Sequence, residues 1–498
     1  MRKSTFGLTL LVISFFGMCL NAQNLNQNLN KHFEHYLEQN ELLPQDIQWQ
    51  VTNENTSQIS GVTNIYFTQE INGIQIYGTE SSIHVLQDGT TLRSNNLFIK
   101  NSLERVSGTN TPSISAIQAV MRAAEHLNYS ITESLYIVDD QGGNDQRALL
   151  SDGGISISNI PAKLVYHIAD NNDLILAWDI SIQEKAQTNW WSLRVDATTG
   201  AILDQTNWMV SCAIEHDHTE DEVLDYNKNL YDIPNYAESM ENEGGCTTCY
   251  EVFALPLESP FYGARTSEND PADPTASPYG WHDTDGSPGN EFTVTTGNNV
   301  DAFDAGDNPG FRPDGGANLD FTGYPFSEIY TGANQYESAS ITNLFYWNNI
   351  IHDVLYHYGF DEVSGNFQEN NYGNGGSGSD SVNANGQIST WCNATFGTPP
   401  DGSNPTMSMY ICGDKDGDFD NLVMIHEYGH GVSNRLTGGP ASSGCLGNQE
   451  QMGEGWSDWL GIVLTVLPGD IGTDSRGVGT YLFGQGPGGP GIRTHPYS

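Results

Sequence analysis

The stretch Leu422-Val-Met-Ile-His426-Glu427-Tyr-Gly-His430-Gly-Val-Ser-Asn-Arg-Leu436, followed by Met452-Gly-Glu454-Gly-Trp-Ser-Asp458, decides the reading of this chain. Its apolar periodicity predicts a helix that runs to about Leu436 and stops at Gly438-Gly439. Residues four apart on a helix lie one above the other, so the imidazoles of His426 and His430 project from one face and can chelate one ion. Glu427, next to the first histidine, then reaches a metal-bound water rather than the metal. Gly429 and Gly431 each cost about 1 kcal/mol against alanine inside a helix, so their presence points to close packing or to a site.

The third ligand is expected from Glu454, at the start of a second apolar helix that reaches Leu467 before Pro468. Hydrolytic zinc commonly takes three protein ligands and leaves a position for water, and two histidines with one glutamate form a known set. Asp458, one helical turn beyond Glu454, is placed to accept a hydrogen bond from a ligand histidine and fix its tautomer. A zinc site with a third histidine would need one at position 436, which is Leu436, and a glycine at 433, which is Ser433. The glutamate type fits.

On these residues, His426 to Gly439 with Gly453 to Asp458, the chain resembles the fungalysin family of thermolysin-like secreted metallopeptidases. Asn370-Asn-Tyr-Gly373, Thr398-Pro-Pro-Asp-Gly402, Asp273-Pro-Thr-Ala-Ser-Pro278 and Gly280-Trp-His-Asp283 extend the resemblance over most of residues 250 to 498. Residues 60 to 100 similarly resemble the fungalysin/thermolysin propeptide module, and 160 to 205 its PepSY-like inhibitory companion. The resemblance implies a secreted zinc endopeptidase precursor acting on protein or peptide substrates, with Glu427 as base and then proton shuttle. It implies an intramolecular prodomain inhibitor that chaperones folding and covers the cleft until cleavage in or near a linker. Asn393 and Ala394, ahead of Phe396, resemble the edge-strand segment that holds substrate backbone in such enzymes. Family members also supply a downstream histidine to the oxyanion, and no counterpart is found before Ser498.

The 498 residues amount to about three compact units. With 62 acids against 18 Lys and Arg, the formal net charge of −44 repels phosphate backbones and anionic lipid, which excludes nucleic acid as a partner. Arg2-Lys3, the apolar run Phe6 to Leu20 and the small-residue step at Asn21-Ala22 read as a signal peptide, so a secreted, extracellular protein is expected, with no membrane association after cleavage. Beyond Cys19, six cysteines, Cys212, Cys246, Cys249, Cys392, Cys412 and Cys445, suggest disulfides among fifteen connectivities. Asp414, Asp416, Asp418 and Asp420 alternate in a way that suits calcium, although a solvated acidic turn explains them equally well. His216-Asp217-His218 is read as an exposed linker segment, and His352 and His357 as helix residues rather than ligands.

Alternating apolar residues predict strands between 60 and 100, with hairpin turns at Asn72-Gly73 and Asp88-Gly89. A helix is predicted from an N-cap at Ser113, burying Ile117, Val120, Met121 and Ala124, and a longer one from about Ser338 to Tyr358. The fold class expected is α+β: an N-terminal α+β prodomain, then a thermolysin-like zincin domain with an HExxH helix, incomplete in its C-terminal lobe. The boundaries are 1–22 signal, 23–110 propeptide-like module, 111–211 PepSY-like module, 212–250 acidic linker carrying the activation cleavage, and 251–498 catalytic domain. A catalytically weak extracellular zinc-binding protein is the alternative, and a zinc hydrolase of non-peptide substrates a weaker one.

Overall fold

The computed structural model describes residues 28–185, 188–211, 247–306, 310–332, 335–389, 391–446 and 452–497. The expected signal peptide, Cys19, Cys212, Cys246, the His216-Asp217-His218 segment and residues 212–246 of the linker lie outside them. Two compact units emerge, one within Met1–Gln187 and Trp191–Thr206, the other Thr188–Trp190 with Asn207–Ser498.

In the first unit, helix α1 (28–38) lies beside β1 (Trp49–Thr56), β2 (Thr63–Ile71), β3 (Ile74–Gln75), β4 (Ser81–Val85) and β5 (Thr91–Asn95). The order is β1-β2-β4-β5, with β3 folded back on β2. Asn72 (φ 53°) and Gly73 (φ 79°) both adopt left-handed backbone, the geometry a two-residue hairpin demands, so Ile71 pairs with Ile74 as the Asn-Gly signal predicts. Leu29, Phe33, Ile65, Phe67, Ile83 and Phe98 close one core.

A second core in this unit joins α2 (Ala116–His126) to the sheet of β6 (Val106–Ser107), β7 (Ile137–Gly142), β8 (Arg147–Leu150), β9 (Ile160–Ile168), β10 (Leu174–Gln183), β11 (Trp190–Asp196) and β12 (Ile202–Asn207). The N-cap of α2 is Ser115, not Ser113. Ser115 and Gln118 form a reciprocal box, Gln118 N donating to Ser115 Oγ (3.3 Å) and Ser115 N to Gln118 Oε1 (2.9 Å). The face that packs inward is Ala116, Ala119, Val120, Ala123 and Ala124, and Met121, expected on it, is 51% exposed.

The second unit is built on a six-stranded sheet of β13 (Met209–Ser211), β16 (Val300–Asp304), β18 (Val382–Ile388), β19 (Ala394–Gly397), β20 (Thr406–Cys412) and β21 (Lys415–Asp416), in the order β13-β19-β20-β18-β16 with β21 on β20. A smaller sheet holds β14 (Cys249–Val252), β15 (Thr266–Asn269) and β17 (Asp320–Phe321). Strand β14 begins inside the stretch read as linker, because Tyr250 is fully buried against Trp281, Phe321 and Phe345.

Helix α3 (Glu337–Tyr356) is apolar or buried almost all round, as a central helix must be, and Gly359 (φ 95°) follows its end. Helix α4 (Asn421–Thr437) packs beside it, and α5 (Met452–Leu464), three residues shorter than its apolar run, packs on α4. Asn343 of α3 donates to Asn421 Oδ1 (2.9 Å) and to the Asp418 carbonyl (2.7 Å), which fixes where α4 starts.

Candidate metal centre and cleft

Helix α4 begins at an acidic cap, the Asp420 carboxylate accepting from Val423 N at 3.3 Å. Its glycines then set its neighbours. A Cβ on Gly429 would lie 2.8 Å from Ser457 Oγ and 3.1 Å from Ser457 Cα, so the missing side chain is what lets α5 approach α4. At the other end of the contact, Gly461 sits equally tight on Leu422. On Gly431, a Cβ would meet the Phe396 ring at 2.6 Å and the Phe367 ring at 2.8 Å, which brings β19 against α4 beside His430.

With α5 seated this closely, Glu454 reaches both histidines. His430 Nε2 is 3.0 Å from His426 Nε2, and the Glu454 carboxylate is 3.3 Å from His426 Nε2 and 3.5 Å from His430 Nε2. Zinc–nitrogen bonds of about 2.0–2.1 Å at tetrahedral angles separate ligand atoms by ~3.3 Å, so the three donors have the spacing that zinc requires. His426, Glu427 and His430 are all buried, and Glu454 is partly so.

The protonation pattern agrees with a ligand set. Burial, and the neighbouring His426, push the His430 imidazole down to about 3, so it is neutral. Burial raises the Glu454 carboxyl, but its hydrogen bond with His426 and the positive charge of Arg493 outweigh this and hold it at about 2. Asp458, 2.7 Å from His426 Nδ1, accepts a hydrogen bond from that nitrogen, which keeps the proton there and leaves Nε2 facing Glu454. Burial opposes its charge, yet hydrogen bonds with His426 and Arg493 hold it well below the ordinary carboxylate value.

Two residues near the C-terminal end join this centre without any motif having announced them. Arg493 donates from Nε to Asp458 Oδ2 (2.7 Å) and from Nη2 to Glu454 Oε2 (2.9 Å), and Tyr497 Oη donates to Asp458 Oδ2 (2.6 Å). Neither was marked by the sequence, because single polar residues after a glycine-rich loop carry no periodic signal.

Asn393 and Ala394 stand at the start of β19. One edge of β19 pairs with β20, Ala394 opposite Met409. The other edge pairs antiparallel with β13, Met209 to Gly397 and Ser211 to Thr395, and Asn393 Nδ2 donates to Ser211 Oγ at 2.8 Å. The segment just ahead of the linker therefore lies on the strand edge where a substrate backbone was expected.

The acidic turn before α4 is not a solvated loop. Asp416, Asp418 and Asp420 are fully buried, Asp416 accepting from Asp418 N (3.0 Å) and Gln387 Nε2 (2.8 Å) and Asp420 capping α4. His352 pairs with Asp353 (2.9 Å) and His357 with Asp273 (2.9 Å), consistent with their reading as helix residues. Cys392 and Cys412 form a disulfide across the β19–β20 hairpin, and Cys249 is disulfide-bonded too.

Residues 249–498 match the family profile described as Fungalysin metallopeptidase (M36), and residues 47–96 match the Fungalysin/Thermolysin Propeptide Motif. "Extracellular metalloproteinase MEP" of Leptosphaeria maculans is 32% identical over 469 residues, covering 92% of this chain and 67% of its own length. The "Extracellular metalloproteinase" of Pyrenophora tritici-repentis is 33% identical, covering 88% of this chain and 62% of itself. For "Extracellular metalloproteinase mep" of Aspergillus flavus the values are 31%, 96% and 72%. The chain thus spans 62% to 72% of the length of these relatives. Among solved structures, the Bacillus megaterium YpeB C-terminal domain aligns over 37% of this chain and 64% of its own at 14% identity, with a TM-score of 0.19 that says nothing of the fold.

Proposed function

Because this chain belongs to the fungalysin metallopeptidase family, we propose that it is the precursor of a secreted zinc-dependent endopeptidase whose metal is held by His426, His430 and Glu454. The observation that carries this reading is the convergence of those three donors at 3.0 to 3.5 Å, with Asp458 on the far nitrogen of His426. Zinc bound there supplies Lewis acidity toward a carbonyl oxygen and toward water. Two neutral imidazoles and one carboxylate leave the site a net positive charge once the ion is present, which favours a developing oxyanion.

The chain's own residues do the rest. Asp458 keeps the His426 proton on Nδ1, so that Nε2 remains a lone-pair donor. The Glu427 carboxylate takes a proton from the attacking water and passes it to the departing amine nitrogen. Once β13 is displaced, a peptide substrate would add as a strand to the edge of β19 opposite β20, with the Ala394 backbone and the Asn393 side chain as its holding points. In the precursor β13 occupies that edge, which supports an intramolecular inhibitor relieved by cleavage between Ser211 and β14.

The test is Glu427→Gln, assayed for bound zinc and for casein hydrolysis after the linker is cut. Zinc content should equal the wild type while hydrolysis falls by on the order of 10²-fold or more. Turnover retained in this variant would overturn the role of Glu427, and wild-type protein that binds zinc without turnover would favour the zinc-binding alternative.

A further inference from the structure

A second group of ligand-type side chains lies in the catalytic unit, away from the zinc residues, in the loop His282-Asp-Thr-Asp-Gly-Ser-Pro-Gly-Asn-Glu291. Asp283, Asp285 and Glu291 each bring one carboxylate oxygen into a cluster whose atoms all lie within 4.8 Å of one another. The loop is closed by Glu291 N donating to the His282 carbonyl at 3.2 Å. One oxygen of each acid is already held by a backbone N–H: Asp283 Oδ1 by Gly286 (3.0 Å), Asp285 Oδ1 by Ser287 (2.8 Å) and Glu291 Oε2 by Thr284 (2.7 Å). The three side chains are therefore oriented by the main chain, not loose on the surface.

What separates this cluster from an ordinary acidic turn is Asp283. It is fully buried, 0% exposed, and its Oδ2 has no hydrogen-bond partner among the described residues. A buried carboxylate oxygen without a donor is costly and calls for a cation. Sequence supplies none locally, since no Lys or Arg occurs between Arg265 and Arg312. Burial, with the adjacent Glu291 and Asp285, pushes the Asp283 carboxyl above its ordinary value, as a pocket lacking positive charge should.

We infer that Asp283, Asp285 and Glu291 form a calcium site. All three donors are carboxylate oxygens, which suits a hard cation and not zinc. The neighbouring imidazole is turned elsewhere, His282 Nε2 lying 2.7 Å from Tyr250 Oη and Nδ1 3.2 Å from the Thr296 carbonyl. A loop bent at Gly286 (φ 73°) and Gly289 (φ 142°) tolerates the irregular shell of calcium better than the strict octahedron of magnesium. Two of the three acids are exposed, so the affinity belongs with extracellular calcium modules, Kd on the order of 10⁻⁴ to 10⁻³ M. The ion would tie this loop to the 370–372 segment, where Asn370 Nδ2 already donates to the Thr284 carbonyl (3.1 Å) and the Tyr372 ring lies against Gly286.

The experiment uses the full chain, treated with EGTA and titrated with calcium chloride by calorimetry, beside Asp285→Asn/Glu291→Gln and Asp283→Asn. Wild type should take up one saturable equivalent more than the double variant, and calcium should raise its Tm. Asp283→Asn keeps the Gly286 contact but removes the unpartnered charge, so it should melt above wild type in EGTA and below it in calcium. That reversal of sign is not expected of an acid with a purely structural role. If the double variant melts below wild type in EGTA, Glu291→Gln alone is compared and should bind at least tenfold more weakly. Equal stoichiometry and affinity in wild type and variants would overturn the site. So would the lack of any saturable uptake by wild type up to about 10 mM, tenfold beyond the weakest such modules.

Discussion

Replacing Gly429 with alanine should damage the metal centre more than the fold. The new Cβ would stand 2.8 Å from Ser457 Oγ, 3.2 Å from Ser457 Cβ and 3.1 Å from Ser457 Cα. Rotation of a hydroxyl relieves the first contact, but the last is backbone. Carbon atoms pack best at about 3.5–4.0 Å, so α5 must withdraw from α4 by about 0.4–0.9 Å. Glu454 lies one turn before Ser457 on the same helix and moves with it, whereas His426 and His430 stay on α4. Metal ligands tolerate about 0.2 Å, and loss of a supporting contact costs on the order of 10–100-fold in affinity, so zinc should bind that much more weakly. Stability changes less, because a helix gain of about 1 kcal/mol offsets about 1–3 kcal/mol of overpacking. The assay is zinc titration of the apoprotein against a chromogenic chelator, with Tm measured in parallel. Adding Ser457→Gly removes the two side-chain contacts and should restore part of the affinity. Wild-type zinc affinity in Gly429→Ala would refute the argument that this glycine sets the ligand spacing.

Other substitutions probe the scaffold around the site. Arg435, fully buried at the end of α4, donates to the Pro399 (2.8 Å) and Gly365 (3.0 Å) carbonyls and pairs with Asp380 (3.1 Å) and Asp401 (3.2 Å). Arg435→Met leaves the buried Asp380 uncompensated and should cost about 3–5 kcal/mol in urea unfolding, and a loss under about 1 kcal/mol would contradict this. Burial pushes His282 down from 6.5 to about 4. Because the unfolded chain binds that proton first, stability should fall as pH drops from about 6.5 to about 4, by about 3 kcal/mol in total. A His282→Gln variant with an unchanged slope would assign the effect elsewhere. The Cys392–Cys412 disulfide closes a separation of 20 residues, worth about 3 kcal/mol in chain entropy. Replacing both cysteines with serine should lower Tm and, since Asn393 and Ala394 follow directly, raise KM for peptides, whereas an unchanged KM would detach the edge strand from substrate binding.

Much of this was legible in the order of residues because it is local. Four-residue spacing on a helix places His426 and His430 on one face whatever surrounds them, and Asn72-Gly73 marks a hairpin because two successive left-handed residues suit Asn-Gly and few other pairs. Two glycines in an otherwise good helix signalled a close contact, and Gly429 and Gly431 make one each, with α5 and with β19. The helix α2 starts at Ser115 and not at Ser113 because Ser115 alone has a glutamine three residues on, a capping-box spacing that the two hydroxyls taken singly do not reveal. The buried role of Asp416, Asp418 and Asp420 was hidden for a similar reason, since an acid that caps a helix and an acid in solvent read alike.

By itself, then, the sequence determined the identity of the ligand-type residues, the helix that presents two of them and the hairpins of the N-terminal half. Each of these follows from backbone geometry within a few residues. The tertiary structure decided which distant residues meet: Glu454 on the two histidines, Arg493 and Tyr497 on Asp458, β13 along the edge of β19, and Asp283 buried opposite two exposed acids. Those meetings depend on how closely two helices approach and which strand edge is left to pair. Both are set by packing across elements, where no short-range pattern records them.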